Sequence, residues 1–338
     1  MGVRRGHKRF LPAALLAILS FWGLALTLHC AKRIVAFAQL FGIFKDHAGV
    51  RITQDEIFAS YNSTNSEIQS PPVPRIIHKI FHNWSNPDDD SLPADWQPEH
   101  QTCLDFNPDW EHMLWTTKSS EEFIRKEFRW FLSTYKSYKY PVQRVDAMKY
   151  FALRHYGGIY IDMDNGCSAN LDPLTLYPAF TTDGGHGALS NNIIGGQPGH
   201  PYFVLLTENL MLWKVNYLLP YVTIMFCSGQ WFSTAMWEKY HSLLSSDGSL
   251  RGIAGAGWNP LHRVLMDMRP GADPWVFFTQ TQGESWADWD YTLLKTIGDH
   301  IVLFISFLTA LVGFLIWSCV RFRARSNIDD REHKKMDA

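Results

Sequence analysis

Two uncharged apolar runs near the ends of this chain set most of what it can become. Residues 11–28 read LPAALLAILSFWGLALTL and residues 301–320 read IVLFISFLTALVGFLIWSCV. About 20 apolar residues are enough for a helix to cross a bilayer, and a surface helix of a soluble core would show a polar stripe. The pair predicts two spanning helices, with residues 29–300 on one side of the membrane. A cleaved leader is the other reading of the first run, but the run is long and has no small-x-small cleavage site. Arg4, Arg5, Lys8 and Arg9 precede the first run, and Arg321, Arg323 and Arg325 follow the second. Positive flanks stay in the cytosol, so both termini are expected there, although Lys32 and Arg33 weaken the asymmetry.

The expected organisation is a cytosolic N-terminus (1–10), a span (11–28), a stem (29–73), a lumenal domain (74–292), a second span (300–320) and a cytosolic tail (321–338), basic and then acidic. Asn62-Ser63-Thr64 and Asn83-Trp84-Ser85 are glycan-acceptor triplets that agree with a lumenal domain. Of the five cysteines, Cys30 and Cys319 fall in or beside the apolar runs. That leaves Cys103, Cys167 and Cys227, from which one bridge at most can form. No CxxC or HExxH metal pattern is present, and a net charge of −2 gives no basic field for nucleic acid.

Pro71, Pro72 and Pro74 mark the start of the domain. RIIHKIF (75–81) predicts its first core strand and DWEHMLWT (109–116) a second, with a helix over 119–131. Residues 141–156 carry apolar side chains at three- and four-residue steps behind Pro141 and end at Gly157-Gly158, which predicts a helix. Ile159-Tyr160-Ile161 then reads as a buried strand. Further strands are expected within 188–196 and 275–278, and helices over 201–214 and 230–243. Such alternation predicts an α/β domain with a mostly parallel sheet.

Asp162 and Asp164 follow that buried strand directly, in HYGGIYIDMDNGC (155–167). Open α/β sheets bind ligands outside the carboxyl ends of their strands. Residues two apart in an extended segment face the same side, so both carboxylates can meet one ligand. Paired anionic oxygens suit a hard divalent cation such as Mg2+ or Mn2+. That ion would neutralise charge developing on a diphosphate leaving group. D-x-D alone is common in surface turns; the preceding Gly-Gly stop and buried strand are what give it weight. Asp172-Pro173 reads as a structural turn.

VDAMKYFALRHYGGIYIDMD (145–164) resembles the signature of the glycosyltransferases with a DXD sugar motif, a family that contains fungal initiation-type α-mannosyltransferases. PRIIHKIF (74–81) resembles that family's opening strand, usually close to IPKIIHQIW. NNIIGGQPGHPYF (191–203), SGQWFSTAMWEKY (228–240) and FFTQTQGESWADWD (277–290) resemble its middle and closing segments, so the likeness covers residues 74–290. The two apolar flanks and the YIDMDNGC form are most similar to the subfamily that mannosylates inositol phosphorylceramide. The resemblance implies a GT-A-like fold, GDP-mannose as donor, a divalent metal, inositol phosphorylceramide as acceptor, a Golgi membrane and a regulatory membrane subunit as partner.

By position in the family, Asp164 is the expected metal ligand. Asp162 would reach the donor ribose and the metal, directly or through water. Asp146 would hold the nucleotide or sugar, and Lys149, where the family usually has Arg, would neutralise the departing GDP. Ser285, Trp286, Asp288 and Asp290 are candidates to complete the metal and diphosphate site; Asp288 stands where relatives often carry His. Trp286 reads equally as core packing. His78 reads either as a donor contact or as a satisfied core histidine. Asn165 replaces a frequent third acid. The resemblance implies retention at the anomeric carbon, and no residue stands out as a covalent nucleophile or base. A protein-glycan mannosyltransferase would share every donor motif but usually has one anchor. A scaffold that has lost catalysis would not need both Asp162 and Asp164.

Overall fold

In the computed structural model of the chain, the residues described are 46–64, 71–184, 187–244, 260–266, 275–280 and 289–314, with positions 21–25, 27, 28, 31, 32, 35, 37–40, 317, 318 and 321. The chain divides into two compact units, residues 1–218 with 222–283, and residues 219–221 with 284–338.

The first unit is built on a seven-stranded sheet. In chain order its strands are β1 (Val50–Ile52), β2 (Ile76–Ile80), β3 (Glu111–Trp115), β4 (Gly158–Ile161), β6 (Ala179–Asp183), β7 (Ile193–Gly196) and β8 (His262–Leu265). Their spatial order is β1-β8-β6-β7-β4-β2-β3. Every neighbouring pair is parallel except the two made by β7, which runs against β4 and β6. The mostly parallel α/β sheet is thus as expected. Strands β4, β6 and β7 are buried along their whole length, as covered sheets require. Two more strands, β5 (Asn165–Cys167) and β9 (Phe278–Gln280), form an antiparallel ribbon.

Behind the sheet lies the Pro141–Tyr156 helix, with Pro at its first turn and a buried run from Asp146 to Leu153. It stops at Gly157 and Gly158, whose φ angles are +68° and +91°. A Cβ on Gly158 would lie 2.5 Å from the Ile76 carbonyl oxygen, so only glycine lets β4 turn in beside β2 at that angle. The double glycine therefore fixes where the strand, and the acidic pair at its end, begins.

Several boundaries differ from the sequence expectation. Part of the expected stem is folded into this unit: β1 pairs with β8, and the Gln54–Thr64 helix follows it. Only three residues make β1, too few for periodicity to reveal. The expected helix over 119–131 is two helices, Thr117–Glu127 and Leu132–Lys136, interrupted where Phe128 leaves helical geometry (φ −133°, ψ 48°). The strand expected within 188–196 is confined to Ile193–Gly196, because Ser190, Asn191 and Asn192 bond to the acidic turn and its neighbours instead. Strand β9 starts at Phe278, three residues after the predicted start. As expected, Asp172 is structural: it accepts from Arg75 at 2.7 Å and from the Trp110 indole at 3.0 Å.

Cys103 and Cys167 are bonded, and Cys227 is a buried free thiol. The bridge staples the Gln97–Phe106 helix to β5, immediately after the acidic pair. It closes a separation of 64 residues. Removing a crosslink of that span is expected to cost about 2–4 kcal/mol. Cys103→Ala/Cys167→Ala should therefore melt well below the wild type in a thermal scan. A matching Tm, with or without reductant, would contradict the bridge.

In the second unit the Trp289–Asp299 helix is followed by a helix over 301–314. No single helix among the described residues is long and apolar enough to cross a membrane, although these two pass that test as a pair bent by 86°. Residues 11–20 and most of the tail lie outside the described residues.

Candidate active site

The β4 strand delivers Asp162 and Asp164 to a tight turn that leads into β5. Two backbone bonds and two side-chain amide bonds fix the turn's geometry. The Asp162 amide donates to the Asn192 carbonyl at 2.9 Å, and the Asn165 amide donates to the Asp162 carbonyl at 3.1 Å. The Asn192 side chain donates to Asn165 Oδ1 at 3.2 Å, and Asn165 Nδ2 donates to the Thr279 carbonyl at 3.1 Å. Asn165 is thus fully buried within the ribbon. It stands where relatives often have an acid, yet its role here is to tie the turn to β7 and β9. Gly166 is also required by space, since a Cβ there would lie 2.1 Å from Glu99 Oε2.

Two buried ammonium groups stand behind the carboxylates. Lys149, on the Pro141–Tyr156 helix, reaches Asp146 at 3.0 Å and Asp162 at 3.6 Å, donates to the Asn191 carbonyl at 3.1 Å, and lies 4.8 Å over the Tyr160 ring. Lys79, on β2, donates to the Asn165 carbonyl at 2.6 Å and the Asp162 carbonyl at 3.1 Å. Both lysines are 2% exposed, whereas the Asp162 side chain is 30% exposed. The cations therefore face the interior with Asp146, while Asp162 and Asp164 are the acids that reach toward solvent. If all are ionised, three acids (Asp146, Asp162, Asp164) and two lysines leave the cluster one negative charge, an arrangement ready for a cation.

The electrostatics agree. Burial pushes the Asp164 carboxyl up to about 6, and the neighbouring Asp162 charge pushes the same way. Burial also raises Asp162, against the pull of Lys149 and of the Tyr160 hydroxyl, which donates to it. For Lys149 burial opposes the charge, but Asp162 and Asp146 outweigh it and hold its pKa above the ordinary lysine value. Burial pushes Lys79 down to about 8, resisted by the charges of Asp162, Asp164 and Glu99. Two half-buried acids that repel each other are relieved by a divalent ion.

The donor set fits such an ion. Among the described residues no group of three or more His, Cys, Asp or Glu side chains is placed to hold a metal. Asp162 and Asp164 would be the protein's share of the ligands. Mg2+-type sites commonly use one or two carboxylates and leave the remaining positions to phosphate and water.

Of the two readings of His78 the structure matches the core histidine, and Asp146, an expected donor contact, makes internal bonds. His78 is fully buried; one ring nitrogen bonds the Gly157 carbonyl at 2.8 Å and the other accepts from the Trp115 indole at 3.1 Å. Burial lowers its pKa to about 4. Both nitrogens are used, so His78 holds the β4 entry and has none left for a nucleotide. Asp146 is also committed: it accepts from Asn191 at 3.2 Å and from Ser228 at 3.0 Å, and pairs with Lys149. It sets the position of Lys149 and has no free face for a sugar. Lys149 itself is too enclosed to line the open side as a phosphate contact; its charge acts through Asp162.

Asp290 belongs to the second unit, where one carboxylate oxygen accepts from the Tyr221 amide at 2.6 Å. Ser285, Trp286 and Asp288 lie outside the described residues. Of the acceptor triplets, Asn62 is exposed on the Gln54–Thr64 helix, while Asn83 is half-buried and its side-chain oxygen accepts from the Asn86 amide at 3.0 Å. Lys79, Asn191, Asn192 and Tyr160 were not singled out in the sequence. The one signal for Lys79 was its place in RIIHKIF, where the family's opening strand usually has Gln.

Comparison with known proteins supports the same reading. The family model described as the glycosyltransferase sugar-binding region containing the DXD motif matches residues 93–181. Mannosyl phosphorylinositol ceramide synthase CSH1 of Saccharomyces cerevisiae is 37% identical over 246 residues, covering 72% of this chain and 60% of that protein. Inositol phosphoceramide mannosyltransferase 2 of Schizosaccharomyces pombe is 32% identical over 272 residues, covering 80% of this chain and 73% of that protein. The chain spans about three fifths of the length of CSH1 and of the related SUR1, 60% and 58%. Among solved structures, the PaToxG glycosyltransferase aligns over 57% of this chain with a TM-score of 0.38 and 14% identity, too loose a likeness to assign a fold. An acidic turn at the end of a buried strand, and a relative matched along most of both sequences, lead to one conclusion: the chain belongs to the family of DXD-motif glycosyltransferases that includes the fungal inositol phosphoceramide mannosyltransferases.

Proposed function

We propose that this protein transfers mannose from GDP-mannose to inositol phosphorylceramide, with retention at the anomeric carbon, using a divalent metal, Mn2+ or Mg2+. Its α/β unit would be a GT-A-like catalytic domain in the Golgi lumen. The spans at 11–28 and 300–320 would hold it to the membrane with both termini in the cytosol. The observation that carries the reading is the outward-facing Asp162–Asp164 turn backed by two buried lysines, in a chain whose relatives are named for this acceptor.

A metal held by Asp162 and Asp164 would supply charge to the departing diphosphate. The chain's own residues do the rest. Lys149 favours the ionised form of Asp162 against burial, Lys79 and Asn192 hold the turn's backbone, and Asp146 fixes Lys149. Preorganised charge of this kind need not reorganise as the bond breaks. A ceramide acceptor stays in the bilayer, so an enzyme tied to the same surface meets its headgroup without extracting it. The Cys103–Cys167 bridge agrees with an oxidising lumen.

The reading is tested in cells that lack the endogenous activity. Lipid extracts from cells expressing the chain should convert inositol phosphorylceramide to a species heavier by one hexose, identified as mannose after hydrolysis. Unchanged sphingolipids, with a new mannose on protein-linked glycans, would replace the lipid acceptor with a glycan one.

A further inference from the structure

The end of the Pro201–Trp213 helix and the segment leading from it toward the Pro220–Cys227 helix carry apolar side chains that face outward. Met211 is 50% exposed, Leu212 75%, Val215 48% and Leu218 86%. Isolated exposed leucines are ordinary, but four apolar side chains within eight residues form a patch. Leu218 adds a second oddity: its φ is +71°, and among the described residues it is the only non-glycine at positive φ. Glycine or asparagine would sit there with less strain. In water, a leucine at this position is unfavourable both for its backbone and for its side chain. An apolar surrounding removes the second penalty.

What lies beside the patch indicates which surrounding it meets. The Tyr217 ring is 5.3 Å from Phe226, and Phe226 packs against Phe37 at 6.2 Å and Trp231 at 4.9 Å. Phe37 closes the triangle, 5.4 Å from Trp231. It belongs to the helical positions between 21 and 40, whose Phe21, Trp22, Leu24 and Leu28 are all more than half exposed. The patch and the apolar N-terminal helix thus share one aromatic cluster. Lys214, within the patch, donates to the Ser137 hydroxyl, which places the exposed Lys136 and Lys139 close by. Lys136 is paired with Glu121 at 2.9 Å, which leaves Lys139 and Lys214 as the cations of this rim. Apolar side chains with Tyr, Trp and Lys at their edge match the composition of a bilayer interface.

We propose that residues 211–218 dock on the bilayer beside the N-terminal helix, with Leu212 and Leu218 at the boundary of headgroups and acyl chains and Lys139 and Lys214 among anionic headgroups. The inference rests on the reading that the chain is membrane-attached, and not on the identity of donor or acceptor. The surface would orient the α/β unit on the membrane.

Photo-crosslinking tests it with the full chain in its native membranes. A benzophenone amino acid is placed at 212 or at 218, both exposed positions, and at the exposed Asp105 as a control. After irradiation, mass spectrometry should find lipid adducts at 212 and 218 at least tenfold above those at 105. Adducts no more frequent than the control, or adducts to another protein in place of lipid, would overturn the proposal. Leu212→Asp/Leu218→Asp gives an independent readout: mannose transfer to lipid in the bilayer should fall about tenfold while slow donor hydrolysis in water is unchanged. Equal transfer by this variant and the wild type would also overturn it. Crosslinking needs no donor or acceptor, so the docking surface and the proposed reaction can fail separately.

Discussion

Asp164→Asn is expected to abolish sugar transfer while making the metal-free protein more stable. The loss of transfer follows from removing one of two carboxylates that would hold the ion. A decrease of a hundredfold or more corresponds to roughly 3 kcal/mol of lost transition-state stabilisation. The gain in stability follows from linkage. Burial and Asp162 raise the Asp164 pKa to about 6 in the folded chain, whereas a free Asp titrates near about 3.9. Between those values the folded state binds more protons than the unfolded one. Stability therefore falls as pH rises through this window, and the full penalty is present above about pH 6. Asparagine carries no such penalty. Discounted for partial exposure, the expected gain is about 1–2 kcal/mol at pH 7.5, fading to nothing near pH 4. Thermal scans across that range in chelator would check it. Added Mn2+ should then stabilise the wild type and not the variant. A variant less stable than the wild type at pH 7.5 would mean that Asp164 is a structural acid.

Lys149→Met is expected to cost about 3–5 kcal/mol, the range for breaking a buried ion pair by removing one partner. The methionine fills the space but leaves Asp146 and Asp162 without the ammonium that both approach, at 3.0 and 3.6 Å. Asp146 is buried, so it cannot recover its hydration. Adding Asp146→Asn should restore part of the loss, because the amide still reaches Asn191 and Ser228 without an uncompensated charge. Chemical denaturation of the wild type, both single variants and the double variant gives that coupling energy directly. Additive effects would show that Lys149 and Asp146 do not act as a pair.

Much of this was legible in the sequence, and the reasons are local. Gly157-Gly158 needs positive φ and a close approach to β2, so the helix end, the strand start and the acidic turn could be placed from residue type alone. The apolar spacing of 141–156 gave the helix but not its chemistry: Asp146 and Lys149 look like exposed polar positions until Asp162, Asn191 and Ser228 arrive from distant segments. Lys79 was hidden for the same reason. Its partners are backbone carbonyls 83 and 86 residues away, and no side-chain pattern encodes such a contact. His78 shows the converse. The sequence left a ligand contact and a core histidine equally open, and its two hydrogen bonds to Gly157 and Trp115 make it a brace. Strands as short as β1 and β5 carry too few residues for periodicity; pairing across the sheet decides them.

The central claim is that the Asp162–Asp164 turn binds the metal and donor diphosphate for transfer to a membrane lipid. The most direct measurement supplies labelled GDP-mannose and inositol phosphorylceramide to membranes containing the full chain or its Asp164→Asn form, with Mn2+ or with chelator. Label should enter lipid only with the wild type and only with metal. Label entering lipid equally with chelator, or equally with Asp164→Asn, would contradict the claim.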